Sequence, residues 1–175
     1  MNKKSTAGKL TILSLLIAIS VVLRLLGFPQ NGTFRIELGF VPIAVAGAIF
    51  GPFWAGASYV IADVVGTLCT GLVPAPTVTL CKFFFGLIFG ICFHKGNRKL
   101  SRIILSVVLI TIFIDLLAMP FALVPIMGGK SVFVILTDRV LASLFNFPLR
   151  ITAIWLCFKY LNSVIEKEVT RYGHH

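Results

Sequence analysis

Apolar runs closed by glycine, proline or basic residues follow one another along the whole chain. They lie near 10–28, 38–50, 53–72, 77–93, 103–123 and 132–161. A helical crossing of a bilayer takes ~20 apolar residues, within about 17 to 25. The pattern therefore predicts six crossings. The second run is short for a span, so it is expected to be tilted or partly re-entrant, its irregular backbone covered by protein rather than lipid. Gly51-Pro52 after it reads as a tight turn into the third crossing.

Composition agrees. Hydrophobic residues make up 58% of the 175, charged residues 13%, and mean hydropathy is +1.00, beyond what a soluble domain carries. The expected class is an all-α integral membrane protein, a compact bundle of six transmembrane helices in a single domain over residues 1–175. His174 and His175 are compatible with a tag remnant. The N-terminal stretch has the basic start and apolar run of a signal peptide but no small-x-small cleavage site, and reads as a retained first span.

Charge sets the expected orientation. Lys3, Lys4 and Lys9 precede the first run, Lys95, Arg98, Lys99 and Arg102 separate the fourth from the fifth, and Lys159, Lys167 and Arg171 follow the sixth. An even number of spans puts all three groups on one side, and basic residues favour the cytoplasm. Both termini are thus expected to be cytoplasmic. The net charge of +10 reads as topology, with no nucleic-acid partner.

Function is sought among the charges left inside the runs: Arg24, Lys82, Arg139 and Arg150 with Asp63, Asp115 and Asp138. Each costs at least ~2.5–3.5 kcal/mol to insert at depth, so each needs a partner or a cavity. Asp63 shares a helical face with Tyr59, Thr67 and Thr70. It either receives a ligand's paired N–H donors or pairs with Lys82 or an arginine to hold the bundle. Asp115, one turn after Thr111, is expected to be structural. Arg139, Asn146 and Arg150 share a face of the last run, which Pro148 is expected to bend. Arg150 either meets a ligand or pairs with Asp115, and Arg24 and Lys82 either serve a site or snorkel to the outer surface. The excess of cations over carboxylates favours an anionic ligand with a polar head. Phe34, Phe40, Phe83, Phe84, Phe145 and Phe147 are candidates to sandwich a flat ring.

Small residues Ala7, Thr11, Ser14 and Ala18 form one stripe on the first helix and suggest close approach by a partner helix. Gly86-xxx-Gly90 offers the same, with internal packing as its plainer use. Cys69, Cys81, Cys92 and Cys157 show no C-x-x-C spacing and are read as core residues, not metal ligands. Gly129-Lys130-Ser131 lacks the first glycine of a phosphate loop, and no catalytic motif stands out. No enzyme activity and no cofactor are expected.

These features together resemble the membrane-embedded substrate-binding (S) components of energy-coupling factor (ECF) vitamin transporters, within them the folate-specific FolT family. The resemblance rests on the small-residue first helix, the run Arg35-Ile36-Glu37-Leu38-Gly39-Phe40-Val41-Pro42-Ile43, the Gly51-Pro52 turn, Asp63, and Phe145-Asn146-Phe147-Pro148-Leu149-Arg150. It implies a multi-pass subunit of a bacterial plasma membrane that takes up folate from outside. It also implies a transmembrane coupling (T) component and two cytoplasmic ATPases as partners, with ATP bound only by the latter. The family's alanine-xxx-alanine motif, which contacts the T component, corresponds to Ser14 and Ala18. The loop holding Phe34 and Arg35 would gate the site, facing the Pro74-Ala75-Pro76 turn. Folate's pterin head would then lie at Asp63, with Asn146 or Arg150 supporting it. Its glutamate tail would point toward some of Arg24, Lys82, Arg139 and Arg35. Two alternatives stay open: an S component for pantothenate, riboflavin or thiamin, and a self-sufficient proton-coupled carrier using Asp63 and Asp115, which would transport without partners.

Overall fold

The computed structural model describes residues 3–26, 38–94, 99–124 and 132–172, and among them the only regular structure is helical. The order is α1 (Lys3–Leu26), α2 (Phe40–Phe50), α3 (Pro52–Cys69), α4 (Pro76–Phe93), α5 (Leu100–Leu123) and α6 (Val132–Tyr172). All but α2 are long and apolar enough to cross a membrane. Large apolar side chains such as Leu15 and Val22 on α1, Leu80 on α4 and Phe113 on α5 face outward, as lipid allows.

At 1.5 Å per residue, 11-residue α2 is about 16 Å long, roughly half of a ~30 Å hydrocarbon layer. It packs on α1, α3, α4 and α6. Phe40, Ile43, Ala44, Ala46, Ala48 and Ile49 are buried, which is what a helix apolar all round requires. Its ends are thus covered by protein. Gly51, at φ 92°, makes the turn into α3 and its N–H reaches Gly47 O at 3.1 Å. Pro52 and Pro76 open α3 and α4, where a missing N–H costs nothing.

Glycine lets α4 lie almost in contact with α3 and α2. A Cβ at Gly90 would sit 2.1 Å from Pro52 Cα, and one at Gly86 would sit 2.6 Å from Ala55 O. Gly86-xxx-Gly90 is therefore an internal seam. Phe85, Phe89 and Phe93 run down the same helix, joined to Phe40, Tyr59 and Phe158 by ring contacts of 4.9–6.3 Å.

Three expectations need correction. α3 stops at Cys69 rather than 72, because Thr70 Oγ1 turns back to Thr67 O and Gly71 adopts φ 72°. Cys69 is exposed at that end instead of in the core. α6 runs on from 161 to Tyr172 as one helix that contains Pro148, since the tail holds strong helix formers and neither glycine nor proline before Gly173. Within α5, Ile110–Ala118 is π-helical, ending with Met119 N–H on Ile114 O, five residues back.

Candidate functional site

Five of the seven embedded charges, Arg24, Asp63, Lys82, Asp115 and Arg150, lie in one polar layer between the helices. From α3, the residues spaced at helical intervals all turn inward: Tyr59, Asp63 and Thr67 are buried and Thr70 is half-buried. The face read from the spacing is therefore the face turned to the bundle. Arg24, in the last turn of α1, crosses to it. Its Nη1 donates to Asp63 Oδ1 at 2.6 Å and to Asp63 O at 3.0 Å, and its Nη2 donates to Thr67 Oγ1 at 2.9 Å. Thr79 on α4 donates to the other carboxylate oxygen, Oδ2, at 3.1 Å.

Asp63, only 3% exposed, thus carries a hydrogen bond on each oxygen, one of them charge-assisted. Of the two uses foreseen for it, the pairing with an arginine is present in this arrangement. Arg24 does not snorkel: its side chain is 13% exposed and turned inward. Thr79 and Gly66 escaped the sequence reading. Thr79 lies three residues before Lys82, a spacing that puts both on one face of α4. Gly66 carries no chemistry of its own, and only the fold shows that it lies against the Arg24 side chain.

Lys82 is also turned inward, 5% exposed, with Nζ 3.3 Å from Tyr59 Oη and 4.9 Å from that ring's centre. Phe85 links it to the next cation. Lys82 Nζ lies 5.9 Å and Arg150 Cζ 5.2 Å from the Phe85 centroid, and Arg150 Cζ lies 5.9 Å from that of Phe40. Arg150 is ion-paired with Asp115, which the π-helical stretch of α5 presents to α6. The layer therefore runs from Arg24 and Asp63 through Tyr59, Lys82 and Phe85 to Arg150 and Asp115. Each paired charge avoids the cost of an isolated one at depth.

The remaining candidates sit as follows. Arg139 and Asn146 are half-buried on α6, and Asn146 Nδ2 donates to Ala142 O at 2.9 Å. Of the rings proposed to sandwich a flat group, Phe40 is a core residue, Phe83 and Phe147 are half-buried, and Phe84 and Phe145 face outward. These last two are turned by their helices to the outer surface of the bundle. Pro74 and Ala75 are half-buried and Pro76 begins α4. Phe34 and Arg35, the other half of the expected gate, lie outside the described residues. Ser14 and Ala18 are exposed on the outer face of α1, together with Ala7 and Thr11.

Comparison with known proteins bears on this arrangement. Residues 8–160 match the family described as ECF transporter, substrate-specific component. The chain is 30% identical over 137 residues to the folate transporter FolT of Clostridium novyi (strain NT), a match covering 76% of this chain and 77% of that one. A solved structure, FolT bound with folic acid, superposes with a TM-score of 0.73 at 32% identity, covering 88% of this chain and 92% of that chain.

Proposed function

The chain belongs to the substrate-specific components of ECF transporters, and on that footing we propose that it captures folate from outside the cell for import. The observation that carries the folate reading is the buried Asp63 carboxylate, an acceptor set among cations. Folate's pterin ring offers an amino group and a ring N–H side by side, a donor pair that a carboxylate accepts in parallel. The head would lie at Asp63, and the anionic glutamate tail would point toward Arg139, Arg35 and the neighbouring cations. The likeness to a solved FolT bound with folic acid supports folate as the ligand.

Import would require partners, a T component and two ATPases, with nucleotide bound by the ATPases and no catalysis by this chain. Ser14 and Ala18 would meet the T component, since their small side chains on an exposed helix face admit close approach. Both termini would be cytoplasmic, following the basic ends of α1, α4 and α6.

Calorimetric titration of the purified protein in detergent with folate, pantothenate, riboflavin and thiamin tests the substrate. Saturable heat with folate alone is expected. Saturable heat with another of the four and none with folate would move the chain to that vitamin.

A further inference from the structure

Asp63, Gly66 and Thr67 lie at offsets of three and four on α3 and form a cradle whose shape matches its occupant. Three acceptors line it: Asp63 Oδ1, Asp63 O and Thr67 Oγ1 all receive N–H groups of Arg24. Gly66 is the floor. A Cβ there would stand 3.0 Å from Arg24 Cδ and 3.4 Å from both Nε and Nη1, so the planar group rests on bare backbone. The fit is incomplete, because Arg24 Nε is buried and has no hydrogen-bond partner among the described residues.

A guanidinium is a carbon bearing three nitrogens in one plane. The donor edge of a pterin is the same unit built into a ring: a carbon between two ring nitrogens, one of them N–H, carrying an exocyclic amino group. Both present flat, parallel N–H donors, which Arg24 divides here between Asp63 Oδ1 and Thr67 Oγ1. We propose that Arg24 and the pterin edge are alternative occupants of this cradle, so that ligand capture is an exchange in which Arg24 gives up Asp63. The proposal rests on the folate reading above and adds the competitor that the ligand must displace.

Three features favour the exchange. Arg24 stands on the last turn of α1, where rotation of a long side chain suffices to leave. Its Nε, unpartnered among the described residues, lowers what is lost on leaving. Lys82, held by Tyr59 one turn from Asp63 on the same face of α3, leaves a cation in the layer when Arg24 departs. The price of the exchange is affinity: a site occupied by its own side chain for about nine-tenths of the time binds about tenfold more weakly than the open site.

The test uses the full-length protein in detergent and two probes, a pterin without the aminobenzoyl-glutamate tail and guanidinium chloride. Removing the tail matters because a released Arg24 has no tail carboxylate to meet. Arg24→Ala is expected to bind the pterin about tenfold more tightly than the parent. Guanidinium at low millimolar concentration should compete with the pterin in this variant, while sodium chloride should not and the parent should be insensitive. A folded Arg24→Ala that binds the pterin no more tightly than the parent, or that guanidinium does not affect, overturns the exchange. Should this variant fail to fold, Arg24→Lys keeps the counter-charge but cannot span Asp63 and Thr67. It is expected to bind the pterin a few-fold more tightly, and equal or weaker binding overturns the proposal. Thermal unfolding separates this failure from that of the folate reading. If guanidinium stabilises Arg24→Ala beyond sodium chloride while no form binds pterin or folate, the cradle is real but the folate reading falls, and the exchange with it. If all forms bind folate and guanidinium does nothing, only the exchange falls.

Discussion

Replacing Asp63 by Asn changes almost no volume and removes one charge, which makes it the sharpest probe of the layer. In the parent, the carboxylate accepts from Arg24 on Oδ1 and from Thr79 on Oδ2 at 3% exposure. An asparagine can keep its oxygen toward Arg24 and turn its amide toward Thr79, whose hydroxyl accepts as well as donates. The structural cost therefore falls on the ion pair. Breaking a buried pair costs about 3–5 kcal/mol. Arg24 keeps its bonds to Asp63 O and Thr67 Oγ1, which belong to the backbone and a neighbour, so the low end applies. For a ligand with two N–H donors, one acceptor becomes a donor, at about 1–3 kcal/mol or roughly 5- to 150-fold in Kd. Because Arg24 is loosened by the same change, the observed loss is a difference and should fall in the lower part of that range. Folate affinity by calorimetry, measured well below the melting temperature of the variant, is the assay. Asp115→Asn supplies the comparison, since it breaks an equally buried pair with Arg150 in the same bundle. If Asp63→Asn binds folate as tightly as the parent while folded, the head does not lie at Asp63 and its pair with Arg24 is structural.

Three further outcomes follow from the fold, the proposed partners and the gate that the family resemblance implies. Ala18→Trp should leave folate binding intact and reduce uptake in cells, because the exposed face of α1 would no longer admit a helix at close range; unchanged uptake by a stably expressed variant contradicts the docking role. Gly90→Ala should lower the melting temperature, read by the reactivity of the buried Cys81 and Cys92 thiols toward a fluorogenic maleimide, since its Cβ would meet the Pro52 backbone at 2.1 Å and overpacking costs about 1–3 kcal/mol or more. An unshifted melt would show that α3 and α4 separate freely. Spin labels at residues 34 and 75 should change their distance distribution on adding saturating folate, as a gating loop over the site requires, and identical distributions would dispose of the gate.

Hydropathy alone was enough to place the apolar body of each helix, though not its ends, because transfer of a side chain into lipid is a property of that residue and its near neighbours. Five crossings, the short second helix and the turn at Gly51-Pro52 follow from runs of apolar residues and the positions of glycine and proline. Helical spacing also showed that Tyr59, Asp63 and Thr67 share a face, and expense at depth singled out Arg24, Lys82, Asp115 and Arg150. Which cation meets which carboxylate was legible only as alternatives: the sequence makes Asp115 one of two readings for Arg150 and leaves Asp63 between Lys82 and an unspecified arginine. Arg24 reaches Asp63 across 39 residues and Arg150 reaches Asp115 across 35, and both pairings depend on how each helix is rotated about its axis. That rotation is set by contacts such as Gly90 on Pro52 and Gly86 on Ala55, where the missing side chain leaves no mark in a hydropathy profile. The π-helical turn that carries Asp115 toward α6 was equally hidden, since a shift in hydrogen-bond register leaves composition untouched. The sequence determined which groups had to be buried, and the packing of the helices decided their partners.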